Sequence, residues 1–170
     1  AFVAAYGGAS DNLLNRTGNS ANVPYSYNAV DAPNGIKVVS ANCLTCHASK
    51  LNGEFIVGLG NSVSDFTTDQ SSSIPTIDML MNLYFPGNPS PEWVAYEPFR
   101  NAVVATGPNI IAQQAGVNTA DKLAAVLAAH RNKDDLSWSN SQSIPVPNEV
   151  VPSDVPPWWI LKKKNTMFYT

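Results

Sequence analysis

Cys43-Leu44-Thr45-Cys46-His47 gathers both cysteines of the chain and one of its two histidines into five consecutive positions. Four chemistries can begin from two neighbouring thiols: a structural zinc site, thiol–disulfide exchange, a plain disulfide, and covalent attachment of haem. Zinc takes four ligands and asks for a second ligand pair, yet no further cysteine exists and the other histidine, His130, stands alone. A thioredoxin-type pair opens a helix after a strand. Here Val38, Val39 and Ala41 precede the pair in a pattern that reads as helical. A disulfide across two residues would be strained, and it would leave the adjacent histidine unexplained.

Cys-x-x-Cys-His is the spacing of c-type haem attachment. Two thiols that add across the vinyl groups of one porphyrin must lie about one helical turn apart. The next residue then points its imidazole at the iron from the same side. On this reading Cys43 and Cys46 are the thioether residues of one covalently attached haem c, and His47 is the proximal axial ligand to iron. Such thioethers form outside the cytoplasm, which predicts a periplasmic or extracellular, secreted protein.

Candidates for the sixth ligand are His130, Met79, Met81 and Met167. His130 is the favoured distal ligand, because it shares a helical face with Leu123 and Leu127 and a buried imidazole needs a partner. Its bland alternative is a cation at a helix C-terminus. Met79 and Met81 lie in "IDMLMNL", where methionine among leucines also reads as core filler. Trp93, Trp138, Trp158, Trp159, Tyr84 and Tyr169 read as core and porphyrin-edge packing. Lys162, Lys163 and Lys164 form the only basic run, a solvated face with docking of an acidic redox partner as the alternative. No phosphate loop, GxSxG or HExxH accompanies these residues, and no catalytic residue is assigned.

The elements that must carry these groups are bounded by composition. The chain's 170 residues suit one domain with extensions, and a net charge of −3 excludes a nucleic-acid footprint. No apolar run approaches the roughly 20 residues of a membrane span. Charged residues make up only 14%, as in many proteins that work outside the cytoplasm. Residues 1–34 read as an irregular N-terminal arm. A helix is expected from Gly35 to about Ser49, followed by the loop "LNGEFIVGLGN". Further helices are expected at "SIPTIDMLMNLYFPG", capped by Ser73, and at "SPEWVAYEPFRNAVVATG", capped by Ser90 and kinked or split at Pro98. The clearest is "NTADKLAAVLAAHRN", capped by Asn118 or Thr119. Asp134 and Asp135 read as a helix-exit turn. Residues 132–170 form a Pro-rich C-terminal arm, expected to be extended and to pack on something larger. The expected fold is mainly α: a helical haem domain over 35–131 with two irregular arms.

"GIKVVSANCLTCHAS" and "TADKLAAVLAAH" together resemble the c-type cytochrome superfamily, across about residues 35–131. In that family one helix carries the motif, a loop follows, and a later helix crosses the first. The Pro-x-Leu that commonly follows the attachment site is missing from "LNGEFIVGLGN", which leaves open what holds the second nitrogen of His47. "LAAHRNKDDLSW" and "DVPPWWILKKKNTMFYT" resemble the first half of larger bacterial di-haem cytochrome c proteins related to the di-haem peroxidase group. That likeness implies a second haem domain or subunit. On that likeness the chain is one part of a two-haem assembly, and its start, which lacks the basic n-region of a signal peptide, reads either as one from which a presequence has been removed or as one that had none. Two functions follow. The first is one-electron transfer between extracytoplasmic redox partners, as a carrier and not an enzyme. The alternative is the haem domain of a di-haem peroxidase-like or oxygenase-like oxidoreductase.

Overall fold

Turn chemistry overrides helical periodicity around the cysteines. In the computed structural model, which describes residues 14–87, 89–151 and 157–163, the stretch expected to be one helix from Gly35 to Ser49 is strand, one helical turn, and strand again. Strand β1 (Tyr27–Asp31) and strand β2 (Lys37–Ala41) form one two-stranded sheet. The turn between them runs Ala32-Pro33-Asn34-Gly35, with the Gly35 amide donating to the Ala32 carbonyl at 2.8 Å. Proline presets the first turn position, and β-branched Val38 and Val39 suit a pleated surface better than a helix. Helix α1 is only Leu44–His47.

Strand β3 (Ala48–Leu51) leaves α1 directly and pairs antiparallel with β4 (Glu54–Val57), in the register Ala48–Val57, Ser49–Ile56, Lys50–Phe55, Leu51–Glu54. The connection is Asn52-Gly53, with φ of +51° and +86°. Two consecutive left-handed residues make the tight hairpin turn whose twist matches the strands, and Asn-Gly is its preferred sequence. The expected loop is therefore a hairpin. These two small antiparallel sheets make the fold a mixture of α and β, which corrects the expectation of a mainly α chain.

The chain divides into two compact units. The first comprises, among described residues, 14–30, 39–64 and 157–163. It holds α1, the β3–β4 hairpin and the short helix α5 (Trp158–Leu161). Its N-terminal segment contains a strand and is tied down by Arg16. That guanidinium donates to the carbonyls of Val23, Pro24 and Tyr27 at 2.6, 2.7 and 2.6 Å. Tyr25 packs against Phe55 with ring centroids 4.5 Å apart.

The second unit comprises 31–38 and 65–151 of the described residues. Here the expected helices stand: α2 (Ile74–Tyr84), α3 (Pro91–Thr106) and α4 (Ala120–Ala129). Ser90 caps α3 by accepting from the Trp93 amide at 3.2 Å, while Ser73 and Thr119 make no side-chain cap bond. Helix α3 runs unbroken through the exposed Pro98, so the expected split does not occur. Ile74, Ile77 and Met81 form a buried cluster joined by Phe85, Trp93, Tyr96 and Val103. Tyr84, read from the sequence as core or porphyrin-edge packing, is exposed at the end of α2. Asp78 holds the α2–α3 contact, accepting from Arg100 Nε at 2.9 Å and from the Tyr96 hydroxyl at 3.1 Å. Residues 144–151 adopt no regular element, as expected of the Pro-rich arm. Among the described residues, no helix is long and apolar enough to cross a membrane.

Candidate functional site

Asn42 begins the turn that bears the cysteines. Its Oδ1 accepts from the Leu44 amide at 2.8 Å in the turn that leads into α1, and its Nδ2 donates to the Tyr25 carbonyl at 2.9 Å and to Asn28 Oδ1 at 3.0 Å. The turn is helical because the His47 amide donates to the Cys43 carbonyl at 3.0 Å. Residues three apart on such a turn face the same side, on the order of 5–6 Å between Cβ atoms. The thiols of Cys43, which is exposed, and Cys46, which is half-buried, are both free.

A one-turn helix leaves its last carbonyls without partners unless something outside supplies them. The strand end after β4 does so. Asn61 Nδ2 donates to the Thr45 carbonyl at 3.0 Å, the Asn61 amide to the Cys46 carbonyl at 2.8 Å, and the Gly58 amide to the His47 carbonyl at 2.7 Å. Thr45 Oγ1 adds a bond to the Ser26 carbonyl at 2.9 Å. The motif is thus clamped at both ends by its own unit. Asn42, Gly58 and Asn61 were not singled out from the sequence. Two signals could have found them: an Asn just before a helical turn, and the Asn-Gly that folds β4 back beneath α1.

His47 Nδ1 is sealed from solvent and has no hydrogen-bond partner, whereas Nε2 is not sealed. Among the described residues, no backbone carbonyl accepts a hydrogen bond from this imidazole. Its ring instead meets Trp158, with centroids 5.4 Å apart and planes inclined by 34°. Among the described residues no group of three or more His, Cys, Asp or Glu side chains converges on one point as a metal cage would. Haem attachment needs no such convergence. It asks for two free thiols one turn apart and a neighbouring imidazole with an available Nε2, and these residues fit that demand.

Three of the candidate sixth ligands, His130, Met79 and Met81, belong to the second unit. His130 ends α4 and is only 7% exposed. Its Nδ1 lies 2.8 Å from the Ser139 carbonyl, so Nδ1 is the donor of that bond. Trp138 stacks on the imidazole at 5.0 Å with an interplanar angle of 11°, and Arg131 lies over the same indole at 5.5 Å. The turn that brings Trp138 back is the expected helix exit, where Asp135 accepts from the Ser137 amide and hydroxyl at 2.9 and 2.7 Å. These bonds hold the Asp135 carboxyl below its ordinary value. His130 is thus the C-cap residue of α4, with its Nδ1 bonded to the Ser139 carbonyl and its ring stacked on Trp138. Met81, 5% exposed, belongs to the apolar cluster, and Met79 is 61% exposed. Met167, Tyr169 and Lys164 lie outside the described residues, while Lys162 and Lys163 are exposed, as a solvated face requires.

Comparison with known proteins finds no matching family model, no matching curated protein and no matching solved structure.

Proposed function

We propose that this chain is a covalent haem c protein that carries single electrons between redox partners outside the cytoplasm. The observation that supports the reading is the clamped turn: Cys43 and Cys46 present free thiols on one helical turn, and His47 follows with Nε2 available and Nδ1 sealed. Cys43 and Cys46 would hold the haem, and His47 would bind its iron. The haem supplies the ferric–ferrous couple, and the protein's part is to orient ligands and set the potential. The bonds from Asn42, Gly58 and Asn61 keep the cysteine turn from fraying, and this preorganises attachment. Partners, a second haem domain among them, and a periplasmic or secreted location belong to the same proposal.

The test is the intact mass of the chain matured in an extracytoplasmic compartment. The expected result is one haem retained after acid denaturation, lost when Cys43 and Cys46 are both replaced by alanine. A chain of bare mass from the same compartment refutes the proposal.

A further inference from the structure

A ligating histidine almost always gives its second ring N–H to a carbonyl, a carboxylate or water, and that bond fixes the plane of the ring. His47 has no such bond, because its Nδ1 is buried without a partner. Something else must hold the imidazole. The residue in place to do so is Trp158, distant in sequence but part of the same unit.

The seat of Trp158 is built from the backbone. Its amide donates to the Gly58 carbonyl at 2.9 Å, and the Gly58 amide donates to the His47 carbonyl at 2.7 Å. Two bonds in series therefore tie the start of α5 to the residue that it packs against. Gly58 sits at φ +89°, and a Cβ there would come within 3.0 Å of the Trp158 Cβ and 3.4 Å of its Cγ. A side chain at position 58 would push the indole off its place, so the glycine permits the close approach.

We infer that Trp158 is the positioning residue for His47: its indole, seated on Gly58, holds the imidazole by packing where other ligating histidines use a hydrogen bond. This rests on the haem reading and adds to it a residue and a consequence. A proximal imidazole whose Nδ1 has no acceptor donates less charge to iron than a hydrogen-bonded one. Shielding it favours the ferrous state, and admitting water to Nδ1 disfavours it.

Trp158→Ala and Trp158→Phe in the haem-loaded chain test this, with intact mass and far-ultraviolet circular dichroism confirming attachment and fold. For Trp158→Ala the expected result is a full complement of haem, broadened electron paramagnetic resonance features from a spread of imidazole planes, and a lower reduction potential. Trp158→Phe should restore narrow features and most of the potential. Unchanged spectra and potential in Trp158→Ala, with haem attached, overturn the inference and leave the haem reading standing. Where the wild-type chain carries no haem, the haem reading fails and the inference is read on the apo chain. Nitrogen-15 NMR of the His47 ring should show one ordered tautomer in wild type and an averaged ring in Trp158→Ala. A ring indifferent to that substitution overturns it there too.

Discussion

Replacing Asn42 with alanine removes three hydrogen bonds at once from the turn that carries Cys43, Cys46 and His47. The lost bond to the Leu44 amide costs about 1 kcal/mol. The bond to the half-buried Tyr25 carbonyl contributes about 1 kcal/mol, and the exposed one to Asn28 about half as much. The sum is about 2.5 kcal/mol. With a urea slope of about 2 kcal/mol per molar, the unfolding midpoint should fall by about 1.2 M at unchanged slope. Asn42→Ser keeps an acceptor for the Leu44 amide but cannot reach Tyr25, so it should recover about 1 kcal/mol of the loss. The assay is urea unfolding of the haem-loaded chain followed by circular dichroism, with haem loading measured in parallel. A midpoint shift below about 0.3 M for Asn42→Ala, or a serine variant no better than alanine, refutes the claim that Asn42 organises the motif.

Three other substitutions probe the second unit. Val126 is wholly buried, so Val126→Ala should cost about 2–3 kcal/mol of unfolding free energy through lost transfer energy and the cavity left behind, measured by the same urea titration. In the haem-loaded chain, His130→Ala should move the iron toward high spin and admit carbon monoxide, whereas Met81→Leu should leave the optical spectrum unchanged and cost less than about 1.5 kcal/mol; the opposite spectral pattern would make Met81 the ligand. The Asp135 carboxyl is lowered in the folded state, so its contribution to the 132–137 turn is present above its unfolded value and is lost as pH falls through the lower folded one. Asp135→Asn should abolish that acid-side loosening, below about pH 4, as followed by NMR of Trp138.

That Cys43, Cys46 and His47 stand together was legible from residue order alone, because Cys-x-x-Cys-His is a local spacing and any short helical turn presents it alike. The second unit's helices were legible for a similar reason. Ser90 with Pro91, the Pro86-Gly87 stop and the apolar stripe of "ADKLAAVLAA" act within a few residues of where they stand. What misled was the run of Val38, Val39 and Ala41 ahead of the cysteines. It matches a helix in period, yet the Pro33-Asn34-Gly35 and Asn52-Gly53 turns on either side commit the flanking chain to hairpins. A turn constrains backbone angles outright, while a short apolar period fits more than one element, so the turns win.

Only the tertiary structure decided what surrounds His47. Its sealed Nδ1, the Asn61 clamp and the indole of Trp158 bring together residues 47, 61 and 158. The order of residues along a chain states which groups are available. Which of them meet depends on long-range packing and on backbone partners such as Gly58, where a Cβ would lie 3.0 Å from the Cβ of a tryptophan a hundred positions away in sequence.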